Sequence, residues 1–137
     1  MFSSLLGNKE NNERRGYIET MLTLAFADGE LEDDEVTDII HNALRHPKMR
    51  DMSDKEFDRL IRRSLTAMDK QGLDKRIEEV CKLLTTHEMR LNAIDLAVSV
   101  AMSDGEMEPD EVRVLERMTA LMGLSEADVQ TVVTRYR

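Results

Sequence analysis

The sequence predicts an all-α protein, a bundle of about seven short antiparallel helices. Three observations carry that prediction. Apolar residues recur at spacings of three and four and almost nowhere at two, the mark of helices with one buried face. Start and stop signals cut the chain into helix-sized pieces. An acidic turn with matching flanks occurs twice, so the chain reads as two related helical hairpins packed on each other.

The elements follow in order. Residues 1–12, with few apolar residues before Asn8-Lys9-Glu10-Asn11-Asn12, are expected to be a flexible lead. They are too short and polar for a signal peptide's apolar region or a membrane span of ~20 residues. A single helical domain is expected over 13–137. Ile18, Met21, Leu22, Ala25 and Phe26 form the first stripe, Val36, Ile39, Ile40, Ala43 and Leu44 the second, and Phe57, Leu60, Ile61, Leu65 and Met68 the third. Ser53 and Ser125 each precede an acid by three residues, the arrangement that caps the free N–H groups of a helix start. Gly72, Gly105 and Gly123 supply left-handed stops, and Pro109 suits a first helical turn. The segment from Leu73 to about Ser103 is long for one helix and is expected to break near Thr86 to Glu88.

Composition bounds the chemistry. The 137 residues include 28 Asp+Glu and 19 Lys+Arg, a net charge of −9, which repels nucleic acid. One domain of this size can bury an apolar core without disulfides. Cys81 is the sole cysteine, so there is no internal disulfide and no multi-thiolate zinc site. A lone thiol and the lack of a leader fit a cytoplasmic protein. Met21, Met68, Met89, Met102, Met118 and Met122 fall on the apolar stripes and read as core fillers rather than ligands for a soft metal.

The repeat is the most specific feature. Ala27-Asp28-Gly29-Glu30-Leu31-Glu32-Asp33-Asp34-Glu35-Val36 aligns without a gap on Ser103-Asp104-Gly105-Glu106-Met107-Glu108-Pro109-Asp110-Glu111-Val112. Each residue type has a local role. Gly29 and Gly105 permit the positive φ that ends a helix, Leu31 and Met107 can return to the core, and the acids at 32–35 and 108–111 favour a helix N-terminus by about 0.3–1 kcal/mol each. Five carboxylates at matching positions within eight residues of each copy also form a donor set for a hard divalent cation such as Ca²⁺, Mg²⁺ or Mn²⁺. The candidate metal residues are Asp28, Glu30, Glu35, Asp104, Glu106 and Glu111. The spacing is not that of an EF-hand: with either glycine at loop position 6, position 1 would be Leu24 or Val100, which cannot ligate.

The two acidic units, with Leu115, Met118 and Leu121-Met122-Gly123-Leu124-Ser125 closing the second, resemble the TerB domain of tellurite-resistance proteins. Related domains are appended to some membrane-anchored J-domain co-chaperones. The His-Pro-Asp motif of a J-domain is absent, since His46-Pro47 is followed by Lys48. The resemblance covers about 13–137. It implies an internally duplicated cytoplasmic helical domain associated with tellurite and chemical stress. It also implies metal binding at the acidic turns, and partners that include a membrane protein and calcium-binding proteins; it implies no reaction.

An enzyme is not expected. His41, His46 and His87 do not neighbour Cys81, which sits among Ile77, Val80 and Leu84 as a buried thiol would. The histidines read as satisfied or surface residues. Five aromatic residues do not line a sugar cleft for paired carboxylates. Arg59, Arg62, Arg63, Lys70, Lys75 and Arg76 alternate with acids and read as a solvated face with pairs such as Asp58 with Arg62. The expected function is a stress-response binding or scaffolding module that presents two acidic turns to a divalent cation or a protein partner. The chain would act within a membrane-associated complex without inserting into the membrane, and homodimerisation is left open. The alternative is a metal-dependent hydrolase using the same carboxylates as ligands, with an open coordination position.

Overall fold

The structure, a computed structural model, describes residues 2–27, 29, 31–103 and 105–137, with side chains described from residue 12 onward. Among the described residues there are seven helices and no strand: α1 (Phe2–Ala25), α2 (Asp33–Ala43), α3 (Asp54–Gln71), α4 (Leu73–Leu83), α5 (His87–Ala101), α6 (Pro109–Met122) and α7 (Glu126–Arg135). The all-α expectation holds. None of these helices is long and apolar enough to cross a membrane.

Most boundaries follow the predicted signals. Ser53 and Ser125 cap α3 and α7, their Oγ atoms accepting from Glu56 N at 3.2 Å and Asp128 N at 3.1 Å. Thr86 caps α5 by accepting from Met89 N at 3.1 Å, so the long segment breaks where expected. Pro109 opens α6, and Gly123 closes it in the left-handed conformation. One start differs. α1 begins at Phe2, inside the stretch 1–12 expected to be a flexible lead. That stretch contains no proline, and a helix already anchored by packing extends without a second nucleation step.

α1 and α5 form the centre. Residues 16–24 of α1 are all buried, which a single amphipathic stripe does not predict. The cause is that α1 packs against α3, α4, α5 and α6, while α5 packs against α1, α2, α6 and α7. Exchanging α1, α2 and α3 for α5, α6 and α7 maps the α1–α3 packing onto α5–α7, and α1–α6 onto α5–α2. α4 lies outside this pattern and bridges α1, α3 and α6. One apolar cluster runs from Tyr17 to Val132. Met21, Met68, Met118 and Met122 are buried in it, with Met89 and Met102 packed against its edge.

The buried polar groups of α1 are satisfied locally or by ion pairing. Thr20 and Thr23 donate to the carbonyls of Gly16 at 2.7 Å and Glu19 at 2.6 Å, the back-bonding open to a helical threonine. Glu19 is 3% exposed and faces Arg76 of α4, itself 6% exposed. Glu19 Oε2 lies 2.6 Å from Arg76 Nη2 without a hydrogen-bonding angle, so the contact is an ion pair. Ser64 of α3 donates to Glu19 Oε1 at 3.4 Å, and Arg76 also donates to Gln71 at 2.6 Å. Arg76 thus departs from the solvated cationic face predicted for it, because it faces buried Glu19; Arg59, Arg62, Arg63, Lys70 and Lys75 are exposed as expected.

Candidate functional site

The acidic turns are built alike, bond for bond. Gly29 N donates to Phe26 O at 2.9 Å and Gly105 N to Met102 O at 3.0 Å; Ala27 N donates to Leu24 O and Ser103 N to Val100 O, both at 3.2 Å. Gly29 and Gly105 hold φ of 86° and 109°, a region that side-chain-bearing residues avoid. Leu31 and Met107 then return to pack against the core.

The acids that follow cap the next helix. Glu32 is the N-cap of α2 and Glu108 that of α6. Glu35 Oε1 accepts from Glu32 N at 3.3 Å, Glu111 Oε1 accepts from Glu108 N at 2.9 Å, and the carboxylates of Glu32 and Glu108 accept from the third helical N–H in return. Each turn therefore ends in a reciprocal capping box with Glu in the place usual for Ser or Thr. Carboxylates there also meet the positive end of the helix dipole, which offsets part of their mutual repulsion.

The two helix starts share one groove of about 790 Å³. α2 contributes Glu35, Asp38 and Asn42, and α6 contributes Asp110 and Glu111, with Glu108 just ahead of it; Met21, Ala25, Ala97 and Val100 of the two central helices also line it. The packing of α2 on α5 and of α6 on α1 brings these ends together, a long-range arrangement. Asp110 is paired with Arg113. Asp38 lies three residues beyond Glu35, hence on the same helical face, and was not singled out in the sequence.

The six candidate metal residues have different fates. Glu35 and Glu111 line the same groove. Glu106 lines a separate groove between α6 and α7. Asp28, Glu30 and Asp104 lie outside the described residues. Among the described residues, no group of three or more His, Cys, Asp or Glu side chains is disposed to hold a metal ion.

Other titratable groups serve the fold. His46 Nε2 lies 2.7 Å from Asp95 Oδ2, and Asp95 also accepts from Arg135 at 2.6 Å and Tyr136 at 2.8 Å, joining the α2–α3 connection, α5 and α7. Burial, then the hydrogen bond to Asp95, pushes the Tyr136 phenol up to about 12. Burial, then the hydrogen bond to Glu13, likewise raises the Tyr17 phenol. His41 is exposed, and His87 sits 3.5 Å from Asp128. Cys81 is half-buried rather than fully buried; burial raises its thiol, with Arg90 acting in the opposite sense. A raised thiol is a poor nucleophile. Arg117 donates twice to Asp74, at 2.8 and 3.2 Å, and these bonds hold that carboxyl below its usual range.

Fold and site together define an all-α protein with two acidic helix starts on one groove. The family described as Tellurite resistance protein TerB matches residues 42–133, more than half of the chain, so the chain belongs to the TerB family. The match takes in the second acidic turn and begins beyond the first. No curated protein and no solved structure matches the chain.

Proposed function

We propose that this TerB-family chain is a non-catalytic cytoplasmic binding module of the response to tellurite and related chemical stress, and that its acidic groove takes a divalent cation. One observation carries the reading: the starts of α2 and α6, far apart in sequence, line the same groove with Glu35, Asp38, Glu108, Asp110 and Glu111. A hard cation takes six or more oxygen ligands, of which Glu35 and Glu111 line this groove; Asp28 and Asp104 are the further candidates the sequence offers. Cation binding between α2 and α6 would tie the two halves together and prepare the module for protein partners, including those of a membrane-associated complex.

A second reading rests on the same groove. Glu35 and Glu111 already serve their capping boxes, which favours a basic protein segment that needs charge without inner-sphere ligation.

The test is calorimetric titration of the metal-stripped protein with Ca²⁺, Mg²⁺ and Mn²⁺ beside a melting curve. Saturable heat and a raised Tm, both lost in Asp28→Asn/Asp104→Asn and weakened in Asp38→Asn, support the cation reading, because a ligand that favours the folded state stabilises it. Absence of heat at all three ions refutes that reading and leaves the basic segment. Turnover by the metal-loaded protein would instead support a hydrolase.

A further inference from the structure

We propose that the groove between α6 and α7 receives a basic amphipathic helix from a protein partner. This groove is distinct from the acidic groove between α2 and α6, and the proposal does not depend on cation binding there.

The groove measures about 990 Å³, and Met107, Val112, Leu115, Leu124, Val129 and Val133 line it. Leu115 and Leu124 are buried at its floor, whereas Val112 is 39% exposed and is one of two large apolar side chains open to solvent among the described residues. Apolar surface of this kind favours an apolar occupant. Met102 and Met107 at one end supply side chains that adapt to the shape of whatever enters.

Charge selects the occupant. Glu106, Glu116 and Glu126 line the groove against one cation, Arg137. The arginines of α6 are turned to other work: Arg113 pairs with Asp110 and Arg117 with Asp74. A mostly apolar groove lined by three glutamates complements a helix with one apolar stripe flanked by Lys or Arg. The seven described helices offer no strand edge for β-addition, so recognition falls to side chains, and a helix presents them at the spacing of the α6 and α7 ridges.

A second copy of the chain fits poorly. Among the described residues its exposed large apolar side chains are Val112 and Leu121, and a two-fold contact through this groove would bring two acidic linings together.

The probe is a labelled synthetic peptide of about 18 residues, with Leu at i, i+3, i+4 and i+7 and Lys elsewhere, beside a scrambled peptide of identical composition. Binding to the full chain is followed by fluorescence anisotropy at near-physiological salt, and amide chemical-shift changes locate the site. The patterned peptide is expected to bind roughly tenfold more tightly than the scrambled one, with shifts confined to α6, α7 and the 102–107 turn. Val112→Arg, at an exposed position that leaves the core intact, should weaken it by about tenfold or more. Glu106→Gln/Glu116→Gln should weaken it by roughly three- to tenfold. Equal binding of the scrambled peptide, indifference to both variants, or shifts centred on Glu35 and Glu111 would overturn the proposal. So would concentration-dependent dimerisation in sedimentation that Val112→Arg abolishes, which would make the second copy the occupant.

Discussion

Replacing Arg76 by methionine removes the charge that faces Glu19 and keeps most of the side-chain volume. Glu19 and Arg76 are 3% and 6% exposed, so the carboxylate would be left almost dry. Its remaining neighbours are weak: Ser64 donates at 3.4 Å, and Arg15 lies 3.8 Å away with its side chain 31% exposed. Breaking a buried pair from one side costs about 3–5 kcal/mol, and the two residual partners place this case near the lower figure. With an unfolding entropy of about 2.1 cal/mol/K per residue, 137 residues give ~0.29 kcal/mol/K. A loss of ~3 kcal/mol therefore lowers Tm by about 10 °C. The double variant Glu19→Met/Arg76→Met removes both charges and should recover most of that loss, since paired burial of charge is close to neutral against well-packed apolar side chains. Urea titration and thermal melts of the wild type, both single variants and the double variant complete the cycle. A loss below about 1 kcal/mol for Arg76→Met, or a double variant no more stable than it, would refute the pairing.

Three further outcomes are expected. Arg90 donates to the carbonyls of Leu84 at 2.8 Å, Met122 at 2.9 Å and Cys81 at 3.0 Å, closing the ends of α4 and α6 together; Arg90→Met should cost about 2–4 kcal/mol in urea unfolding, and a smaller cost would mean that water replaces the guanidinium. A Cβ on Gly16 would stand 2.5 Å from Leu84 Cδ2 and 2.7 Å from its Cγ, and Leu84 is fully buried. Gly16→Ala should therefore lower Tm by several degrees, the overpacking cost of ~1–3 kcal/mol exceeding the ~0.5–1 kcal/mol gained from helix propensity; a raised Tm would show that Leu84 moves aside. Tyr136 is held protonated in the folded chain up to about 12, above the ordinary tyrosine value near ~10, so the native state binds more protons across that window and stability falls as pH rises through it. Tyr136→Phe should flatten the alkaline loss in a melting series, and an unchanged slope would assign the loss to other groups such as Tyr17.

Local signals explain what the sequence made legible. The hydroxyl caps at Ser53, Thr86 and Ser125, the positive-φ glycines and Pro109 act over a few residues, and α2, α3, α4 and α6 each bury one face. α1 and α5 are less transparent because central helices are covered on several sides, which is why Glu19, Thr20 and Thr23 sit buried within an otherwise apolar run. Arg76 looked like one more exposed cation because its partner lies on another helix, far along the chain. The acidic turns are visible as a repeat, yet the groove shared by the helix starts that follow them depends on how α2 packs on α5 and α6 on α1. That packing also decides that Asp38 joins Glu35 and Glu111, while Glu106, five residues from Glu111, faces the α6–α7 groove.

The proposed divalent-cation site in the acidic groove is open to direct measurement. Calorimetric titration of the metal-stripped chain with Ca²⁺, Mg²⁺ and Mn²⁺ tests it most directly. Saturable binding of at least one ion is expected, with a rise in Tm of roughly 5–10 °C at ~100-fold excess over Kd and both effects diminished in Asp38→Asn. Flat titrations with all three ions and an unmoved Tm would contradict it.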